Sequence, residues 1–256
     1  MKFIKITTVA LIAVASASLM ATTPKNSNTK LSKAEIMEKF RQARAKNRVE
    51  TGGIVYSLPK GKIIEVINRQ SVVPQASLQA ATDSVKFHSI LPINFVSEKS
   101  DKAGVVIEIV NEGSAPVILA APDNGWAKLD VAFLLQDKPN ESTLNERVVK
   151  QFWRTLGAAM GVGVSAFQPC LMRNMATLKD LDKCKVDRPG PSTLNSIHES
   201  AIFFGIEPLK VASYMKACQE GWAPTPTNDV QKAIWDKVHA TPKNPLKIEF
   251  DPKKGR

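Results

Sequence analysis

The chain has 256 residues, of which 43% are hydrophobic and 23% are charged, and its formal net charge is +11. This is the composition of a globular protein, and it excludes a disordered, collagen-like or coiled-coil chain. Three cysteines are too few for a small disulfide scaffold, so the fold has to rest on a hydrophobic core. No nucleic-acid partner is expected from the basic charge, because aromatic residues are not interleaved with the basic ones.

The N-terminus, residues 1–21, has the pattern of a secretory signal peptide. Two lysines precede an apolar run over residues 6–20, and small residues allow cleavage after Ala17 or after Ala21. We therefore expect an exported bacterial protein, periplasmic or extracellular. No later stretch has the roughly 20 apolar residues that span a bilayer, so no transmembrane segment is expected after cleavage. Export exposes the cysteines to oxidising conditions in which two of them can pair: Cys170, Cys184 and Cys218.

Residues 22–52 are predicted to be a flexible polar lead-in followed by a basic helix. Ser32 and Glu35 form a capping box that begins a helix extending to about Asn47. Apolar residues recur at helical spacing on one face, and basic residues occupy the other. This helix either packs on the domain by its apolar stripe or lies at a membrane surface.

Residues 53–256 are expected to form a single domain of the α/β (α+β) class with a mixed sheet. Short β-branched runs at 62–67 and 104–110 are typical of buried strands. The other elements predicted in this first half are a helix over 74–87 and strands over 91–96, 116–121 and 126–134. Pro92 indicates that its strand begins late or lies at an edge. The order of strand, helix and several strands predicts some antiparallel pairing.

From residue 143 onward the pattern is mostly helical. Thr143 and Glu146 predict a capping box, and apolar residues recur at helical spacing until Gly161 ends the helix. Later elements are predicted as helices near Thr177, from Ser192 to Gly205, from Pro208 to Gly221 and near Asn228, with a short strand over 246–250.

Several enzyme classes are disfavoured by missing motifs, since the sequence has no phosphate-binding loop, dinucleotide fingerprint, nucleophile elbow or Cys-x-x-Cys. His198 and Glu199 match the start of a zinc-peptidase helix, but Ile202 stands where the second histidine is needed. One ligand makes no catalytic zinc site, so no metal, cofactor or catalytic residue is predicted. A Cys/His nucleophile pair built on Cys170 or Cys218 stays open, although nothing marks either thiol as activated.

Residues 154–172 resemble the active-site segment of the archaemetzincin metallopeptidase family. The family motif is His-Glu-x-x-His-x-x-Gly-x-x-His-Cys, then Cys-x-Met and a later Cys-x-x-Cys. Laid over it without gaps, Gly161, Cys170 and Met172 match. The zinc-histidine positions carry Arg154, Ala158 and Val164, the general-base position carries Thr155, and the missing cysteines of the structural zinc site fall on Ser165, Gly190 and Thr193. The resemblance implies a metzincin-like fold, with a central active-site-type helix, in which both metal sites are lost.

In the resembling family, the helix face that carries the zinc ligands is the floor of the substrate cleft. The candidate cleft residues of this chain are therefore Arg154, Thr155, Ala158, Gly161 and Val164. There Arg154 offers a fixed positive charge that can bind a carboxylate or a sulfate. The alternative is an arginine at the solvent edge of an amphipathic helix.

The expected function is that of an inactive metallopeptidase-like protein that binds an extended peptide or an anionic polymer in the former cleft. Two alternatives stay open. One is an exported hydrolase that uses Cys170, Cys218, His198 and Glu199. The other is an envelope-associated structural protein docked by its basic helix over residues 32–48.

Overall fold

The computed structural model describes residues 33–69, 71, 73–113, 118–166 and 170–240. The chain divides into two units, residues 1–47 and 48–256. Helix α1 (Lys33–Glu50) supplies the described part of the first unit, and its described side chains are exposed there. The predicted signal peptide and the predicted strand over 246–250 lie outside the described residues. In the part of the chain that is described, no helix is long and apolar enough to cross a membrane.

The second unit begins with the end of α1 and contains the sheet and the remaining helices. In chain order these elements are β1 (Ile54–Tyr56), β2 (Ile63–Ile67), α2 (Gln75–Ser89), β3 (Ile93–Val96), β4 (Ala103–Val110), β5 (Leu119–Ala121), β6 (Trp126–Asp130), α3 (Glu141–Ala159), α4 (Leu178–Lys183), α5 (Pro191–Phe203), β7 (Val211–Ser213), α6 (Tyr214–Gln219) and α7 (Asp229–Ala240). Short 3₁₀ turns follow β5 and β6.

Five strands form a mixed sheet in the order β3-β2-β4-β6-β5. The first four are parallel to one another, and β5 pairs with β6 in the antiparallel direction at one edge. The β-branched runs of β2 and β4 occupy the middle of the sheet, where most of their residues are buried. Strand β3 begins at Ile93 and lies at the other edge, as Pro92 indicated. The predicted α/β class with a mixed sheet is therefore confirmed.

The core lies between the sheet and two helices, α2 and α3, which pack against each other. Helix α3 also packs on β4 and β6, and its residues Phe152 and Leu156 are fully buried. Trp153 joins the two helices, because its indole Nε1 donates a hydrogen bond to Ser84 Oγ at 3.0 Å. Each fully buried side chain of this size stabilises the fold by about 2 kcal/mol.

A second, smaller core lies beneath the β1–β7 ribbon and helices α6 and α7. It is centred on Val55, Tyr214 and Ile234. The Tyr214 hydroxyl donates to the Pro224 carbonyl at 3.0 Å, so the polar end of this buried side chain has a partner.

Two predicted helices begin at residues other than those expected. The predicted helix over 208–221 is in fact strand β7 followed by the short helix α6, because residues 211–213 pair with β1 far away in sequence. The predicted capping box at Thr143 is not the start of α3. Asn140 is the N-cap, and its Oδ1 accepts a hydrogen bond from the Thr143 backbone N–H at 2.9 Å, so the helix begins at Glu141.

The strand predicted over 126–134 ends early, at Asp130, and the disulfide that two of the cysteines could form is not present in the structure. Asp130 Oδ1 accepts a hydrogen bond from the Ala132 backbone N–H at 2.9 Å and turns the chain into a 3₁₀ helix. Cys170, Cys184 and Cys218 are all free thiols in the structure.

Candidate functional site

Helix α3 buries polar side chains as well as apolar ones. One side of the helix carries the core residues Phe152 and Leu156. The other side, termed the polar face here, carries residues spaced by three and four: Arg147, Lys150, Gln151, Arg154 and Thr155. All five are buried. The segment 170–184 contacts this face, which explains why the polar residues are shielded from solvent.

Arg147, at the start of the polar face, is fully compensated by carboxylates. Its Nη1 and Nη2 donate to the two oxygens of Asp137 at 2.6 and 2.9 Å. Its Nε and Nη2 donate to the two oxygens of Asp182 at 2.8 and 2.7 Å. These hydrogen bonds raise the pKa of Arg147, and the bond to Arg147 lowers the pKa of Asp137. The buried charge of Arg147 is therefore compensated by two carboxylates at the surface, whose side chains are 55% exposed in Asp137 and 40% exposed in Asp182.

Arg154 lies two turns further along the same face and has no such partner. Its Nη1 donates to Gln151 Oε1 at 2.8 Å and its Nη2 to the Arg173 carbonyl at 3.4 Å. Its Nε is buried without a hydrogen-bond partner, and no carboxylate of the described residues pairs with the guanidinium. Burial lowers the pKa of Arg154, the thiol of Cys184 raises it and the Arg173 guanidinium lowers it. With 6% of its surface exposed, Arg154 is not at the solvent edge, so that alternative is wrong.

The remaining candidate cleft residues do not share one open face with Arg154. Thr155 is buried and its hydroxyl donates to the Gln151 carbonyl at 2.9 Å. Ala158 is half-buried, and Val164 is 73% exposed. Gly161 ends the helix with a φ of +72°, a conformation that favours glycine, and it lies at a groove on the surface.

This groove has a volume of about 250 Å³ and lies at the junction of three elements: the turn after β5, the end of α3 and the end of α5. It is lined by Pro122, Asp123, Met160, Gly161, Ser200, Phe203 and Phe204. Phe203 is 80% exposed and meets Phe204 edge to face, with the ring centroids 5.2 Å apart. An aromatic ring left this exposed beside a concave surface is typical of an interaction site.

The residues at the zinc-ligand positions do not fit a zinc ion. Zinc in proteins takes imidazole nitrogen, thiolate sulfur or carboxylate oxygen. Arg154 has no acceptor lone pair, and Ala158 and Val164 have no polar atom at all. Across the described ranges, no group of three or more His, Cys, Asp or Glu residues is placed to hold a metal ion.

The residues proposed for a hydrolase lie in different environments. His198 Nε2 is 2.7 Å from the Ser89 carbonyl oxygen, and Glu199 is exposed on α5. Cys218 belongs to the smaller core beside Tyr214, where burial raises its pKa and so favours the thiol over the nucleophilic thiolate. The structure places Cys218 in a different core from the one on which His198 packs.

Sequence reasoning missed Arg147, Lys150 and Gln151. Polar residues at helical spacing opposite an apolar stripe indicate a solvated face, so no signal in the helix itself marks them as buried. They are buried because residues 170–184 pack over them, and this packing cannot be predicted from the residue pattern of α3 alone.

The site therefore belongs to a mixed α/β domain in which a long helix runs beneath a sheet with one antiparallel edge strand. No protein-family model and no curated protein matches the chain. Among solved structures, archaemetzincin from Methanopyrus kandleri is similar, with a TM-score of 0.47 and 15% identity, covering 56% of this chain and 96% of that one. This is a member of the family that residues 154–172 resemble.

Two further solved structures are similar to a comparable degree. A zinc-dependent peptidase from Methanocorpusculum labreanum has a TM-score of 0.43 and 13% identity, covering 53% of this chain and 99% of its own. Archaemetzincin from Archaeoglobus fulgidus, solved with malonate, has a TM-score of 0.40 and 16% identity, covering 54% and 99%. At these values the likeness carries nothing about activity.

Proposed function

We propose that the protein is an exported, metal-independent module that binds extended peptides and has no peptidase activity. The observation that carries this proposal is an open edge strand beside an aromatic groove. Export rests on the signal-peptide pattern of the first 21 residues. The loss of peptidase chemistry rests on the side chains at the zinc-ligand and general-base positions, which cannot bind zinc or activate water.

Strand β5 supplies the backbone for peptide binding. It pairs with β6 on one side, and no strand of the described residues pairs with its other side. An exposed strand edge presents unpaired N–H and C=O groups to which an extended peptide can add as a further strand. Such binding needs no metal and no catalytic side chain.

The groove supplies a pocket for a side chain of the bound peptide. Residues Pro122 and Asp123 follow directly after β5, so a peptide paired with this strand runs toward the groove. Met160, Phe203 and Phe204 make its lining apolar, and a volume of about 250 Å³ accommodates a large aliphatic or aromatic side chain. We therefore expect peptides with a bulky apolar residue to bind best.

An extended peptide suits this groove better than an anionic polymer does. The lining carries the carboxylate of Asp123 and no lysine or arginine. Arg154, the cation among the candidate cleft residues, is buried in the polar face of α3, where a polymer has no access. A polyanion would therefore meet repulsion at the groove without a compensating contact.

The proposal is tested by selecting binders from a phage-displayed library of random twelve-residue peptides. Peptides with bulky apolar residues are expected to be enriched, and Phe203→Ser is expected to weaken their binding at least tenfold. Phe87→Ser is the matched control, because Phe87 is a similarly exposed phenylalanine on α2 (63% exposed). Bound peptide should also slow amide hydrogen exchange in β5. Equal binding by the two variants, or no enrichment, would contradict the proposal.

A separate assay addresses the absence of peptidase activity. Fluorescence-quenched peptides incubated with the protein are expected to remain intact, with or without added zinc. Turnover that a chelator abolishes would show that zinc is held by residues other than those at the predicted positions.

A further inference from the structure

The polar face of α3 borders a second cavity, on the side of α3 where segment 170–184 packs. It has a volume of about 330 Å³ and is lined by Glu146, Lys150, Asp182, Cys184, Lys185 and Asp187. Its lining is charged rather than aromatic, so it is chemically unlike the groove beside β5.

Lys150 is the most buried cation of this lining. Only 8% of its side-chain surface is exposed, and its nearest carboxylate is Glu146 Oε2 at 4.0 Å, beyond hydrogen-bond distance. Glu146 is itself 69% exposed, so it is largely hydrated and neutralises Lys150 weakly. The Lys150 ammonium thus keeps N–H donors for an acceptor inside the cavity.

Arg154 is the second buried cation, one helical turn after Lys150. Its Nε has no hydrogen-bond partner and its guanidinium has no paired carboxylate among the described residues. Cys184 connects it to the cavity, since this thiol lines the cavity and lies within electrostatic reach of Arg154. Arg154 does not itself line the cavity, so it adds a positive charge behind the lining. A buried charge of this kind is costly unless an anion accompanies it.

The acidic residues of the lining do not provide that anion. Asp182 directs both oxygens to Arg147 at 2.7 and 2.8 Å. Glu146 and Asp187 are exposed, which places them at the mouth, together with the exposed Lys185. The inner end of the cavity is therefore positive and its mouth is mixed in charge. A mouth of this kind repels polyanions while leaving room for a small ligand.

We propose that this cavity binds a small oxyanion, either a carboxylate or a tetrahedral sulfate or phosphate, held by Lys150 and supported by the charge of Arg154. An oxygen acceptor in the cavity can take a charge-assisted hydrogen bond from the Lys150 ammonium, while Arg154, behind the lining, contributes its positive charge and no direct hydrogen bond. The site does not depend on peptide binding at β5, because it uses a different cavity and different residues.

The test is a thermal-unfolding titration of the whole protein with acetate, sulfate and phosphate in turn, at constant ionic strength set by chloride. At one hundred times the dissociation constant, the expected rise in Tm is about 5 °C. The rise should saturate, whereas the general effect of sulfate and phosphate on burial grows with concentration without saturating. The anion with the lowest dissociation constant decides between a carboxylate and a tetrahedral ligand.

Three variants make the assignment specific. Lys150→Met and Arg154→Met are each expected to abolish the saturable rise, while Lys185→Met, which removes an exposed lysine of the same lining, is expected to keep it. Calorimetric titration of the unaltered protein and Lys185→Met gives an answer even if the other two fold poorly. A rise that does not saturate, or that survives in folded Lys150→Met, overturns the proposal.

Discussion

Arg147 and Arg154 lie seven residues apart on the same face of one helix, and both are buried, yet their surroundings are opposite. Arg147 directs its guanidinium to the four oxygens of Asp137 and Asp182, whereas Arg154 reaches one amide oxygen and one distant carbonyl. The desolvation cost of a buried cation is offset when the chain supplies a counter-ion and remains when the chain supplies none. The first arginine therefore holds α3 to its neighbours, whereas the second has no carboxylate partner among the described residues.

The groove beside β5 and the cavity beside Lys150 differ in a similar way. The groove beside β5 was identified by an aromatic side chain exposed without an evident structural need. The cavity beside Lys150 was identified by buried charges without an evident partner. The exposed aromatic side chain favours an apolar ligand at the groove, and the buried charges favour an anionic ligand at the cavity.

The largest effect is expected from removing Arg147. Arg147→Met leaves Asp137 and Asp182 without their shared cation, and we expect the free energy of unfolding to fall by about 3 kcal/mol. This lies at the lower end of the range for broken buried pairs, because both carboxylates are partly exposed and can be rehydrated. Urea unfolding monitored by circular dichroism measures it, and a loss below 1 kcal/mol would contradict the structural role.

A second prediction makes Arg154 resemble Arg147 by placing a carboxylate beside it. Gln151 Oε1 already accepts from Arg154, so Gln151→Glu converts an amide oxygen into a counter-ion. We expect a gain of about 1 kcal/mol in the unaltered protein and a loss of about 1 kcal/mol in Arg154→Met, where the new carboxylate is buried alone. A double-mutant cycle should thus show a coupling of about 2 kcal/mol.

If the oxyanion proposal holds, Gln151→Glu should also weaken the response to added anions, because the internal carboxylate takes the place of the ligand's charge. Additive effects in the cycle would mean that Arg154 is already neutralised by some other group.

Removing Arg154 should cost little, in contrast to Arg147. Arg154→Met exchanges an uncompensated buried charge for an apolar side chain of similar length, so we expect the free energy of unfolding in anion-poor buffer to stay within about 1 kcal/mol of the unaltered protein. The same urea experiment compares the two arginine variants directly. A loss as large as that of Arg147→Met would show that the two sites do not differ in the way described.

The smallest expected effect is a change in how stability declines at low pH, which depends on Asp137. The hydrogen bond from Arg147 lowers the pKa of Asp137 below its usual 3.8 in the folded protein. This bond therefore contributes stability that is present above about pH 3.8 and is lost as the pH falls through the lowered folded pKa. Comparing urea midpoints at pH 5 and pH 3, we expect a smaller decline in Arg147→Met than in the unaltered protein. The contribution of Asp180 to this decline should be the same in both proteins, because hydrogen bonds from Thr177 rather than from Arg147 lower the pKa of Asp180.

The architecture was predictable where local pattern and burial agree. The β-branched runs at 62–67 and 104–110 are strands β2 and β4 because such residues pack well on the pleated surface of a sheet. The candidate site was predictable only in part. Gly161 lines the groove without the other candidate cleft residues, and Phe203 was missed because an exposed phenylalanine on a helix carries no signal until the surface around it is known.

The sequence by itself determined where the strands of the five-stranded sheet and most of the helices lie, because apolar periodicity and glycine turns are properties of residues close together in the chain. It also determined that Arg154, Ala158 and Val164 stand where the resembling family motif has its zinc ligands. Tertiary structure decided the β1–β7 pairing, which joins residues more than 150 positions apart, and the burial of Arg154 beneath residues 170–184. The sequence of a helix shows which of its faces is apolar. Only the segment that packs across its polar face decides whether the charges there meet water, a carboxylate or a ligand.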